Sequence, residues 1–267
     1  KKILAIGGAI TVLLLVIGVA VAVRSQNSGE TEGESSKTKS KVLEKVNDIP
    51  QSERPYVTLR PLTGRNDLEI TVYDRKIDAE KVEVTLEYDR NKGVLDAVLK
   101  TFALDKDIVK DRLFMGSKSA GGHITFHDDV IGGRMVLDFT GGPRDYALEV
   151  PWRYQDTEQR YSQLSTADGR FQVVLEEPIK ANKVVVMLSP GLPAPIEAEV
   201  LAGPYLVRTV GDLLETSAEV KIRLLEEDSA AKLVGWDGES WKDIDTTVDG
   251  KTLTGTSPFY EAYIATK

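Results

Sequence analysis

The chain has no cysteine and only two histidines among its 267 residues. Without thiols it has no disulfide, thiolate zinc site, iron–sulfur cluster or lipid-modified cysteine. Its folded parts must hold by core burial alone, which domains of about 100 residues can do. No Asn-x-Ser/Thr sequon occurs, so no Asn-linked glycan is expected. Both absences fit a bacterial or archaeal surface better than a eukaryotic one. Excess positive charge is missing as well. The net charge is −8, and residues 55–267 carry 26 basic against 36 acidic side chains. Such a surface repels phosphate backbones and argues against nucleic acid as a partner.

Long apolar runs are absent except for one. Residues 3–23, ILAIGGAITVLLLVIGVAVAV, carry no charge. As a helix they would span about 31 Å, the thickness of a bilayer's hydrocarbon core. Lys1 and Lys2 before the run outweigh Arg24 after it, which favours the N-terminus inside and the remainder outside. The run exceeds the core of a cleaved signal peptide, so residues 1–24 are expected to be an uncleaved, single-pass signal anchor. Ala20-Val21-Ala22 leaves open cleavage after Ala22. Residues 25–54 are rich in Ser, Glu and Lys and are expected to form a flexible polar linker.

From Pro55 onward the apolar period is two. Val82, Val84, Leu86 and Tyr88 alternate with Glu83, Thr85 and Glu87, and the pattern recurs at 218–224. These are strands with one buried and one wet face. Asp237-Gly238 and Asp249-Gly250 sit between such runs and predict hairpins. Gly121-Gly122, Gly132-Gly133 and Gly141-Gly142-Pro143 punctuate the first half in the same way. Only 94–112 has partial helical spacing. The expected fold class is all-β: an N-terminal transmembrane helix, a disordered linker and two antiparallel β-sandwich domains, 55–152 and 153–267. The polar segment 153–169 reads as the connection between them.

The strands VEVTLEYD (82–89), GVLDAV (93–98), GGHITFHDD (121–129) and RMVLDFTGG (134–142) together resemble the cohesin-type sandwich. That resemblance implies binding of partner modules or a scaffold role at a cell surface. In the second half, GRFQVVL (169–175), GPYLV (203–207), AEVKIRLL (218–225) and LVGWDGESWKDIDTTVDGKTLTGTSPFYEAYI (233–264) are similar to exported prokaryotic repeat modules. These end in a W-D-G-x-x-W…T-T-V-D-G-x-T-L-T…Y hairpin and look like relatives of the sandwich shared by ankyrins and netrin receptors. Ser257-Pro258-Phe259 stands where such modules have His-Phe-Ser. The resemblance implies an interaction unit with no catalytic residues to carry over.

No catalytic constellation is legible. His123 and His127, with Asp128 and Asp129 beyond, are candidate metal ligands, yet positions four apart on a strand lie about 13 Å apart. Asp89 with Asn91, Asp237 with Glu239, and Asp243 with Asp245 carry oxygen ligands suited to calcium. Beyond that possible calcium, no cofactor is expected. MGSKSAGGH (115–123) lacks the Lys-Ser/Thr of a phosphate loop. Trp236, Trp241 and Tyr260 are candidates for a sugar-stacking platform. The expected function is non-catalytic binding, adhesion or assembly at the cell surface. The expected partners are the membrane, through residues 3–23, and a protein or cell-wall component; the sequence names no oligomeric state. The alternatives are a carbohydrate or cell-wall binding module and an extracytoplasmic hydrolase with an unrecognised site.

Overall fold

The structure, a computed structural model, describes residues 46–63, 67–73, 75–91, 93–156, 162–177, 183–211 and 215–267. The expected anchor at 1–24, its cleavage after Ala22 and the spacer up to residue 45 lie outside these residues. Everything described belongs to one unit, Leu43–Lys267. Among the described residues no helix is long and apolar enough to cross a membrane.

The described chain is almost wholly β, as the period of two predicts. The first nine strands are β1 Tyr56–Pro61, β2 Asp67–Tyr73, β3 Lys81–Arg90, β4 Val94–Ala103, β5 Val109–Phe114, β6 Gly116–Lys118, β7 Ile124–Phe126, β8 Val130–Thr140 and β9 Tyr146–Asp156. The next five are β10 Gln163–Ser165, β11 Phe171–Leu175, β12 Lys183–Leu188, β13 Val200–Thr209 and β14 Ser217–Arg223. The last five are β15 Lys232–Trp236, β16 Trp241–Ile244, β17 Thr246–Asp249, β18 Thr252–Pro258 and β19 Ala262–Thr266.

A nine-stranded sheet in the order β16-β15-β19-β13-β12-β9-β8-β3-β4 forms the middle layer. The three-stranded sheet β1-β2-β5 and the five-stranded sheet β10-β11-β14-β18-β17 supply the outer layers, and β6-β7 is a small separate hairpin. The registers show which face each outer sheet covers. Val82 pairs with Phe139, Met135 with Val150, Trp152 with Met187, and Met187 with Leu206, so all share one face. That face packs on Val57, Leu59, Leu68 and Ile70 of the three-stranded sheet. Val184, Val186 and Val207 point the opposite way and pack with Phe171, Val220 and Leu253 of the five-stranded sheet. The two cores are therefore opposite faces of one middle sheet. The boundary expected at 152/153 falls inside β9, which pairs with β8 on one side and β12 on the other.

Strand β12 is buried on both faces, and its sequence KVVVML shows why: the apolar run is continuous rather than alternating. Val184, Val185, Val186 and Met187 are fully buried, each contributing roughly 1.5–3 kcal/mol relative to exposure. Over this strand lies the edge of β1. Its Val57 N–H donates to Ser189 Oγ at 3.1 Å, and its Leu59 N–H to Met187 Sδ at 3.2 Å. Ser189 Oγ in turn donates to the Gly191 carbonyl at 3.2 Å.

Three local expectations are corrected. The segment 94–112 is strand, not helix: β4 pairs with β3 along its whole length, and β5 joins the three-stranded sheet. Val94, Val98 and Phe102 lie four apart, a spacing that repeats on a helix face and equally on alternate strand positions. Gly132-Gly133 is not a turn but lies within β8. A Cβ at Gly133 would stand 2.3 Å from the Glu87 carbonyl oxygen, so the glycine permits the approach of β3. Residues 46–54, expected as the end of the flexible linker, are docked. Ile49 is buried in the first core, and Asn47 Oδ1 accepts from the Glu149 N–H at 3.1 Å.

Both Asp-Gly hairpins form as expected. Trp236 pairs with Trp241 across the first, and Asp249 pairs with Thr252 across the second.

Candidate functional site

The two histidines flank β7 rather than sharing a strand face. His123 lies in the β6–β7 turn, exposed, with its backbone N–H donating to Ser119 Oγ at 3.2 Å. His127 turns inward, with Nδ1 2.9 Å from the Tyr88 hydroxyl and 3.5 Å from Asp96 Oδ2. Burial pushes the Tyr88 hydroxyl up to about 12, and the nearby Asp96 charge adds to the shift. Asp89 and Asn91 are exposed at the end of β3; the residue between them gathers the acids. Arg90 Nε donates to Asp129 Oδ1 at 2.6 Å, and Nη1 reaches Asp96 Oδ2 at 3.4 Å. The guanidinium takes the place a metal cation would need between those carboxylates. Among the described residues no group of three His, Asp or Glu side chains is arranged to hold a metal ion. At the Asp237-Gly238 turn, Asp237 Oδ1 accepts the Glu239 and Ser240 N–H groups, each at 2.8 Å. These bonds hold its carboxyl below the usual range.

The aromatic platform comes together only in part. Trp236 and Trp241 meet edge to face, 5.3 Å between ring centroids, on the face of the first core. Trp241 Nε1–H donates to the Ala194 carbonyl at 3.2 Å. Tyr260 lies on the opposite face, packed over Gly235 and against the second core. One ligand cannot stack on all three rings.

A polar cavity of about 220 Å³ opens where β1 and β2 meet the end of β13 and the 259–261 link. Its floor includes Arg208, whose side chain is only 14% exposed. Arg208 Nη2 donates to the Tyr56 hydroxyl at 2.8 Å and reaches Glu261 Oε2 at 3.3 Å. Burial works to lower the Arg208 pKa, but Tyr56 and Glu261 outweigh it and raise it overall. Burial likewise pushes Tyr56 up to about 12. Three threonines, Thr58 (5% exposed), Thr71 (2%) and Thr209 (6%), also line the cavity. Arg60, Glu69 and Lys110 stand at its rim. None of these residues is among those singled out from the sequence. The one local signal is Arg208 itself, a lone charge inside the apolar strand YLVRTV.

A second feature is the edge of the nine-stranded sheet. Strand β4 ends that sheet and pairs only with β3. Leu95 and Leu99, 65% and 67% exposed, project from it on the face away from the first core. No family model matches this chain, and no curated protein or solved structure matches it.

Proposed function

We propose that this chain is a membrane-anchored, extracytoplasmic β-sandwich module that works non-catalytically in binding and assembly, and that β4 is where a second copy pairs. The apolar run at 3–23, with Lys1 and Lys2 before it, supports the location. The observation that carries the assembly reading is the contrast between β4 and the other sheet edges. At the far end of the same sheet β16 is only four residues long, and in the outer sheets β17 has four, β10 three and β5 six. The edge of β1 is closed by Ser189 and Met187. Strand β4 runs for ten residues without proline or bulge. Its charges, Asp96 and Lys100, are tied to Arg90 and Asp111. Its outward face carries only Leu95, Ala97, Leu99, Thr101 and Ala103, an edge that stable monomers usually blunt.

The strand is also self-complementary. An antiparallel pairing about a two-fold at Ala97 sets Leu95 of each copy opposite Leu99 of the other, burying the most exposed leucines of the strand together. The absence of cysteine makes this testable. An Ala97→Cys variant places two thiols on Cα atoms about 4.5–5.5 Å apart, within disulfide reach. Mild oxidation of the full-length chain should give a covalent dimer with this variant and little with Leu225→Cys, an exposed position off the edge. Equal cross-linking of the two variants, or none with either, would refute the pairing.

A further inference from the structure

We propose that the Arg208 cavity is a binding site for a single acidic sugar unit, a hydroxylated ring bearing one carboxylate. Buried polar side chains are the informative exception in a protein interior. Here Thr58, Thr71 and Thr209 are three of them, and all line one cavity. Thr58 and Thr71 are direct cross-strand partners, so their side chains stand side by side on one face of the sheet. Behind them Arg208 is fixed by Tyr56 and Glu261 before any ligand arrives. A preorganised guanidinium loses little entropy on binding a carboxylate and is suited to grip it.

The charges select the ligand class. Arg60, Lys110 and Arg208 face Glu69 and Glu261, a net of one positive charge, which suits a monoanion. Neither Arg60 nor Lys110 has an ion-pair partner within 4.0 Å among the described residues, so both rim cations are free to meet it. The two carboxylates repel a doubly charged phosphate but accept hydrogen bonds from sugar hydroxyls, as the threonine hydroxyls can. Tyr73 and Phe259 add ring surface to the walls. At about 220 Å³ the cavity falls below the roughly 300–1,000 Å³ of sites for drug-sized ligands, which points to one sugar unit rather than a chain. The site shares no residue with β4, so it stands or falls apart from the assembly reading.

The test is calorimetric titration of the full-length chain in detergent with D-galacturonate, with galactose as the neutral control and inorganic phosphate as the charge-only control. Backbone amide NMR shifts at Thr58, Thr71 and Thr209 locate the binding. Galacturonate should bind at least roughly tenfold tighter than galactose, the worth of one charge-assisted hydrogen bond. Arg60→Ala and Lys110→Ala, both at exposed positions, should each weaken it by a similar factor while leaving the ligand-free melting temperature unchanged. Arg208→Lys, which keeps the charge but loses the fork, should weaken it further. The assignment is overturned if galactose binds as tightly as galacturonate, if phosphate binds tighter than either, or if galacturonate leaves the three threonine amides unmoved.

Discussion

Ser189→Ala tests how the layers are locked together. Ser189 is buried, and its hydroxyl both accepts the Val57 N–H of β1 and donates to the Gly191 carbonyl. The alanine variant deletes one atom and leaves two buried backbone groups without that partner. Each unsatisfied group costs about 1–3 kcal/mol, so the variant should lose roughly 2–4 kcal/mol after partial relaxation. For a unit of this size that corresponds to a fall of about 4–16 °C in melting temperature. Urea denaturation measures it directly, with the slope m unchanged because the surface exposed on unfolding is the same. Thr216→Val is the control, since the Thr216 hydroxyl donates locally to the Ser217 carbonyl and joins no two layers. A loss below about 0.5 kcal/mol for Ser189→Ala, or one no larger than the control, would show that this hydroxyl does not hold β1 against the middle sheet.

Two further predictions concern the second core and the buried phenols. In Gly235→Ala the new Cβ would stand 2.0 Å from Tyr260 Cδ2, so the ring must move, at a cost of about 1–3 kcal/mol. Combining it with Tyr260→Ala should cost less than the two single losses added, measured by thermal denaturation; strict additivity would disprove the contact. Burial raises Tyr56, Tyr88 and Tyr146 to about 12. Between pH 10 and 12 the unfolded chain sheds these protons while the folded chain keeps them. Their contribution to stability is therefore complete below pH 10 and is lost as pH rises toward 12, by up to about 2–3 kcal/mol for the well-buried Tyr56. Absorbance titration at the phenolate band, with denaturation on either side of pH 10, checks this; uniform titration of every tyrosine near 10 would contradict it.

Much of the fold is legible from local pattern because a strand's two faces are written into alternate residues. Val82 to Tyr88 and Ala218 to Leu224 show this, and the Asp-Gly pairs mark their hairpins because glycine tolerates the positive φ that each turn needs. The 94–112 segment misleads because both faces of β4 carry apolar residues, one set toward the core and the other, Leu95 and Leu99, toward solvent. The candidate sites are less legible. His123 and His127 stand out by rarity, yet the three-residue strand between them turns one ring inward and leaves the other outside. Trp236, Trp241 and Tyr260 are close in sequence, but Gly235 leaves room for Tyr260 on the face opposite the tryptophans.

By itself the sequence determined the strand period, the two Asp-Gly hairpins, the acidic thiol-free composition and the single apolar run at 3–23. These depend on residues within a few positions of one another or on sums over the chain. Only the tertiary structure decided that β9 pairs with β12, making one middle sheet with a core on each face, because strand pairing joins segments by backbone groups that every residue carries alike. Only it brought Thr58 and Arg60 to Arg208 and Glu261 around one cavity, across more than half the chain. The run KVVVML does record its burial on both sides, but not what would cover it.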